Sequence, residues 1–212
     1  MIYYGGNMKV TFLSAFILSL LSFGASASQV SGLDLAKALN SSLEEASVEV
    51  DVNSIYAFQS IVEDHEIEVS FLSEDHLHLT YGCHYHGSTM ACHEEGHDHK
   101  NQSVSKSGEK TFSNILSAHE SAVAKLTKTL TRRGADFGAV SALKVWTHTD
   151  DHDHGHAHKL SDDHDHGQDV WTKFNYTLAG KDQVIYVLCH THGHDTEFSC
   201  HYSKTGEGEP QF

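Results

Sequence analysis

The sequence predicts an α+β protein made of two tandem units, each a helix packed on an antiparallel sheet. Two observations lead to this fold class. First, CHYHGSTMAC at residues 83–92 is echoed by CHTHGHDTEFSC at residues 189–200, and we call these two segments the cassettes. Second, a helical pattern followed by three β-rich runs precedes each cassette. The sequence therefore indicates a repeated αβββ-like unit that ends in a disulfide-closed β-hairpin.

The N-terminal 27 residues are typical of a secretory signal peptide, with translation starting at Met1 or at Met8. The segment has a single lysine and a long apolar run, and it ends in Ala25-Ser26-Ala27, the small-residue pattern of a cleavage site. An uncleaved membrane anchor is the alternative. No later apolar run reaches the roughly 18 residues that a transmembrane helix needs. We therefore expect a periplasmic or secreted protein with no membrane span after cleavage.

The first unit is predicted to occupy residues 28–93. Its helix is expected over residues 33–46, where leucine and alanine recur at helical spacing. A β-rich run follows at residues 56–62, and two more lie on either side of a polar turn at residues 73–75. After the first cassette, the polar residues 94–110 are expected to link the two units.

The second unit is predicted to occupy residues 111–212 and to repeat the same order of elements. Its helix is expected over residues 110–133, with Gly134 as the C-terminal stop. A strand is expected over residues 140–148, and two more lie on either side of a turn at residues 180–182, before the second cassette.

Composition excludes some classes of partner and favours another. The formal charge is −15, from 14 Lys and Arg against 29 Asp and Glu, which disfavours nucleic acid and anionic lipid as partners. The chain also has 20 histidines. Neutral imidazole is a common ligand for Zn²⁺, Cu²⁺ and Ni²⁺, so divalent metal ions are the partners that this composition favours.

The four cysteines are expected to form one disulfide in each cassette. Export favours oxidation, and four cysteines allow three connectivities. If Cys83 lies opposite Cys92 in a hairpin, Gly87-Ser88 remains as a two-residue turn with glycine first, as a type II′ turn prefers. The same reasoning pairs Cys189 with Cys200. The alternative is a thiolate zinc site built from these cysteines and neighbouring histidines.

Histidines in each cassette are expected to share the sheet face opposite the disulfide, because side chains alternate along a strand. Two come from the His-x-His motif and a third follows the second cysteine on the partner strand. Three imidazoles on one face can hold one ion and leave a fourth position for water or another ligand. The six predicted metal ligands are His84, His86, His93, His190, His192 and His201.

An insertion of alternating His and Asp, TDDHDHGHAHKLSDDHDHGQ, occupies residues 149–168 inside the second unit. In composition it resembles the His/Asp-rich loops of periplasmic zinc-uptake binding proteins, and this resemblance implies capture or buffering of zinc. The alternative is a solvated acidic linker that tolerates histidine. The predicted weak ligands of this loop are His148, His152, His154, His156, His158, His164 and His166.

These observations predict an exported, non-enzymatic metal-binding protein that captures, buffers or delivers zinc in the periplasm, with Cu²⁺ or Ni²⁺ as alternative ions. A metal transporter or another periplasmic protein is the expected partner for delivery. A secreted protein-interaction or inhibitor module with incidental histidines is the main alternative, because the element order resembles the tandem helix-plus-sheet modules of some secreted inhibitor proteins. A metallohydrolase is a further alternative, but the sequence places no general base. His119 continues an apolar helix face and is expected to be packed there.

Overall fold

A computed structural model describes residues 29–75, 77–99, 112–148, 169–191 and 197–212. Within these ranges the chain is α+β, with two α-helices and eight β-strands. In chain order the elements are α1 (Leu35–Ala46), β1 (Ile55–Val62), β2 (Ile67–Ser73), β3 (Leu77–His86), β4 (Thr89–His99), α2 (Phe112–Arg132), β5 (Val140–His148), β6 (Asp169–Leu178), β7 (Lys181–His190) and β8 (Ser199–Ser203).

All eight strands belong to one antiparallel sheet with the order β4-β3-β2-β1-β5-β6-β7-β8. The strands of the two predicted units are therefore continuous. They meet where β1 pairs with β5, in a register that places Ser60 opposite Leu143. This topology puts β4 and β8, which carry the second half of each cassette, at the two edges of the sheet.

The helix ends follow local sequence signals. Ser31 and Asp34 form a capping box around the short 3-10 turn that leads into α1. Gly134 has a φ of +77° directly after α2, which is the left-handed conformation that ends many helices. Strand β4 continues to His99, so it includes residues 94–99, which the sequence assigned to a linker. These residues extend the ladder because pairing with β3 uses backbone groups and tolerates polar side chains at a sheet edge.

The main core lies between the helices and one face of the sheet, which we call the inner face. Helix α2 buries an apolar stripe that includes Ile115, Leu126 and Leu130, in one cluster with Phe58 and Phe174 of the sheet. Each of these side chains is at most 1% exposed. Truncating such a residue to alanine lowers the free energy of unfolding by about 2–5 kcal/mol. This layer therefore stabilises the sheet on which the cassettes lie.

The opposite, outer face carries a second apolar cluster around two tryptophans. Trp146 and Trp171 are cross-strand neighbours, and their rings are stacked with centroids 6.4 Å apart. The C-terminal tail crosses this cluster, since the Trp146 indole N–H donates a hydrogen bond to the backbone oxygen of Glu207 at 2.6 Å. Glu209 forms ion pairs with Lys144 at 3.1 Å and with Lys173 at 2.9 Å. The C-terminal tail therefore packs on the outer face of the sheet over β5 to β7.

Candidate metal centre

The first cassette is a β-hairpin closed by a disulfide between Cys83 and Cys92, whose Cα atoms lie 4.1 Å apart. The two residues are direct partners in the β3–β4 register. Gly87 begins the turn with a φ of +66°, while Ser88 is not among the described residues with positive φ. This combination is the one expected of a type II′ turn.

The second cassette has the same closure. A disulfide joins Cys189 to Cys200, again with Cα atoms 4.1 Å apart and with the two residues paired between β7 and β8. No cysteine is free, so the thiolate zinc site considered from the sequence has no thiol available. Two disulfides indicate an oxidising compartment, such as the extracellular space.

The disulfide of the first cassette points to the inner face. Both sulfurs lie within 3.7 Å of the Ala38 backbone oxygen in α1, and both cysteines are buried. Because side chains alternate along a strand, His84 and His86 point to the outer face. They are half-buried and exposed, respectively. The helix thus covers the disulfide and leaves the imidazoles accessible to an ion.

His84, His86 and His93 form a compact group, which we call the histidine triad. One ring nitrogen from each residue lies within 4.8 Å of the others. The ring centroids are 4.7 Å apart for His84 and His86, and 5.3 Å apart for His84 and His93. Zinc–nitrogen bonds of about 2.0–2.1 Å place tetrahedral ligands roughly 3.3 Å apart, so small rotations about the side-chain bonds would complete the site.

A group of carboxylates adjoins the triad on the same face. Glu68, Gly82 and His93 are neighbours on β2, β3 and β4 in one row across the sheet. The absence of a side chain at Gly82 leaves space for the carboxyl group of Glu95, whose Cδ lies 2.8 Å from where a Cβ would stand. An oxygen of Glu66 lies 3.3 Å from the same point.

These carboxylates repel one another. Partial burial raises the pKa of Glu68, and the nearby charges of Glu63, Glu95 and Glu66 raise it further. No ion pair joins any of these four carboxylates to a Lys or Arg within the described residues. The negative potential they create favours a divalent cation beside the triad.

Sequence reasoning missed this acidic group. Alternation along β2 could have placed Glu68 on the outer face beside the predicted histidines. Glu95 could not be placed in the same way, because it lies at a β-bulge where the β3–β4 register shifts. A bulge adds one residue and changes which side chain points to which face, and single sequences give little signal for it.

The second cassette brings together fewer of its predicted ligands. His190 and His201 lie on the same face with ring centroids 5.2 Å apart. His192, the third predicted ligand, lies outside the described residues. The residue opposite His201 is Leu188, which is in turn opposite Trp171, so His201 adjoins apolar side chains, while His190 lies one step beyond the Val170–Cys189 pair, beside Asp169 of β6.

Of the seven predicted loop ligands, the structure describes only the position of His148, which is paired with Asp169 of β6. His148 ends β5, and the other six, between residues 152 and 166, lie outside the described residues. His119 is packed as the sequence predicted, with its ring 5.3 Å from that of Phe58 in an edge-to-face arrangement. Burial lowers the pKa of His119 to about 4, so the ring is neutral at pH 7.

Among the described residues, no helix has both the length and the apolar composition needed to cross a membrane. No family model, curated protein or solved structure matches this chain significantly.

Proposed function

We propose that this chain is an exported metal-binding protein that captures or buffers Zn²⁺ in the periplasm. The observation that carries the proposal is the convergence of His84, His86 and His93, whose ligand atoms lie within 4.8 Å of one another. The two disulfides support an exported location, and the residues before Ser28 are consistent with a signal peptide that directs it.

The donor set favours a borderline metal ion. Three imidazoles suit Zn²⁺, Cu²⁺ and Ni²⁺ better than Mg²⁺ or Ca²⁺, which prefer sets made only of oxygen ligands. The intrinsic order of affinities places Cu²⁺ above Zn²⁺ at such a site, so the ion bound in the cell depends on supply. We propose Zn²⁺ as the physiological ion, held by the triad with water or a carboxylate in the fourth position.

The His/Asp-rich insertion at residues 149–168 is proposed to add weaker sites. Its ligands are spread over twenty residues, and closing such a segment around one ion costs conformational entropy. Weak, rapidly exchanging sites would raise the local concentration of zinc. A metal transporter or another periplasmic protein would then receive the ion from the triad.

We further propose that the two halves arose by duplication of one unit. Each half runs from a helix through four strands, and each ends in a disulfide-closed hairpin with histidines on its outer face. The antiparallel pairing of β1 with β5 is consistent with two copies joined through equivalent strands. On this view the triad and the pair at His190 and His201 descend from one ancestral site.

A Zn²⁺ titration by calorimetry tests the proposal on the protein without residues 1–27, and on a variant that also lacks residues 149–168. We expect the shorter variant to lose weak sites and to keep a tight one. If it loses all binding, the triad is not a metal site and the insertion is the sole chelating element. A matched control replaces residues 149–168 with a Gly/Ser segment of equal length.

A further inference from the structure

A second candidate binding site lies at the edge of the sheet, in a groove between α1 and β4. The groove has a volume of about 650 Å³, within the range of small-molecule sites. Its walls are the end of α1 with the turn that follows, and residues 90–94 of the edge strand β4. Met90 and Val48 supply apolar surface, while Glu44, Glu45 and Glu49 supply carboxylates.

The charge on the helical wall is unfavourable for folding. Glu44 and Glu45 lie in the last turn of α1 and Glu49 lies just beyond it, at the end of the helix where the dipole favours cations. No described basic side chain forms an ion pair with any of these three carboxylates. Locally unfavourable arrangements of this kind are found at functional sites of folded proteins.

An unsatisfied hydroxyl group is an independent sign of a ligand. Tyr81 lines the groove and is 2% exposed, yet its hydroxyl oxygen has no hydrogen-bond partner within the described structure. Burial raises the pKa of Tyr81 to about 12, and the charges of Glu49, Glu94 and Glu45 contribute to this shift. The hydroxyl therefore stays protonated, lies near the carboxylates and can accept a hydrogen bond from an N–H donor.

The groove carboxylates do not converge as the ligands of a bare metal ion do. Within the described residues, the histidine triad is the one group of three potential ligands that converges within 4.8 Å, and no set of groove carboxylates does so. Negative charges beside the apolar side chains of Met90 and Val48 fit a cation whose own charges are separated by methylene groups. Ammonium groups would pair with the carboxylates, and the methylene groups would contact Met90 and Val48.

We propose that the groove between α1 and β4 binds a linear polyamine, with its ammonium groups on Glu44, Glu45 and Glu49 and one N–H donated to the Tyr81 hydroxyl. This site goes beyond the metal-binding function and needs no metal ion. A lysine-rich protein segment carries the same chemistry, and the test below separates the two sources. His93 lines the groove and also belongs to the triad, whose imidazoles lie on the face of the sheet opposite α1.

The test is calorimetry with spermidine in EDTA, at about 0.15 M salt so that long-range attraction to the acidic protein is screened. The first variant is Glu45→Gln/Glu49→Gln, and its matched control is Glu120→Gln/Glu207→Gln, which removes the same charge from exposed positions elsewhere. We expect the groove variant to weaken spermidine binding about tenfold or more and the control to leave it nearly unchanged. Tyr81→Phe should weaken binding as well, with circular dichroism to confirm the fold.

A lysine pentapeptide forms the second arm of the test. If spermidine binds more tightly than the peptide, the result supports a free polyamine as the ligand. If the peptide binds more tightly and its binding also depends on Glu45 and Glu49, the groove belongs to a protein partner and the polyamine proposal is overturned. Absence of spermidine binding overturns it too, as does equal weakening in the groove variant and its control. Because EDTA removes metal ions, none of these results depends on whether the triad binds zinc.

Discussion

Gly82 lies directly opposite His93 in the register of β3 and β4, so the position beside this candidate ligand has no side chain. The carboxyl group of Glu95 occupies the space. At the corresponding place in the second cassette, Leu188 lies opposite His201 and belongs to the apolar cluster of the outer face. Each hairpin has its own disulfide and a face with histidines, but carboxylates adjoin His93 in the first, whereas an apolar side chain lies opposite His201 in the second.

Removing the charge of Glu95 should weaken zinc binding at the triad. In a water-like environment a unit charge contributes about 2 kcal/mol to binding of a divalent ion about 4 Å away and about 1 kcal/mol at about 8 Å, so Glu95→Gln should reduce the affinity of the tight site about five- to thirtyfold. Calorimetry on the variant that lacks residues 149–168 measures this effect. Glu120→Gln, on the exposed face of α2, is the control of equal charge. Equal affinities for the two variants would show that Glu95 does not contribute.

Each disulfide should stabilise the fold to a similar extent. The sequence separations are 9 and 11, and loops of this size correspond to about 2–3 kcal/mol in the chain-entropy account. Cys83→Ser/Cys92→Ser should therefore lower the free energy of unfolding in urea by about that amount. A reducing agent should destabilise the wild type and have a smaller effect on this variant. A wild type that is indifferent to reduction would contradict the assigned pairing.

Stability should fall in mild acid because of His119. Its folded pKa of about 4 lies below the ordinary value of 6.5, so the unfolded chain binds the proton more readily. The stability that this residue contributes is fully present above pH 6.5, declines as the pH falls from about 6.5 to 4, and changes little below that. The total loss is about 3 kcal/mol.

The other histidines also titrate in this range, so the test compares the wild type with His119→Leu. The free energy of unfolding is measured for both proteins from pH 7.5 to 4.5. We expect the free energy of unfolding of the wild type to fall relative to that of His119→Leu as the pH falls. A constant difference across this range would mean that His119 is not buried in its neutral form.

The C-terminal tail should be sensitive to substitution at Gly206. A Cβ there would lie 2.7 Å from the Trp146 ring and 2.8 Å from the Tyr186 ring, and neither ring can move easily. Gly206→Ala should therefore displace the tail, weaken the Trp146–Glu207 hydrogen bond and cost about 1–3 kcal/mol. Urea unfolding followed by tryptophan fluorescence measures the loss. Thr205→Ala, at an exposed neighbouring position, should change stability by less than about 0.5 kcal/mol.

Local patterns in the sequence predicted much of the fold and of the first cassette. Periodicity indicated both helices, and the spacing between Cys83 and Cys92 was sufficient to predict the register and the turn at Gly87. Alternation from those cysteines then placed His84 and His86 on one face. These inferences succeeded because a short hairpin is determined by residues close in the chain.

Long-range features could not be read from the sequence. The pairing of β1 with β5 joins residues more than eighty positions apart, such as Ser60 and Leu143, and no local signal specifies it. The same holds for Tyr81 in the groove below α1 and for the tail residue Glu207 at Trp146. The bulge that places Glu95 beside the triad is local, but its position depends on how β3 and β4 twist together.

The most direct test of the central claim is X-ray absorption at the zinc edge. The sample is the protein that lacks residues 149–168 and carries His190→Ala and His201→Ala, loaded with one equivalent of Zn²⁺. We predict a first shell at about 2.0–2.1 Å and outer-shell scattering from three imidazole rings, falling to two in His86→Ala. A spectrum with one imidazole or none, unchanged by His86→Ala, would contradict the assignment of His84, His86 and His93 as the zinc site.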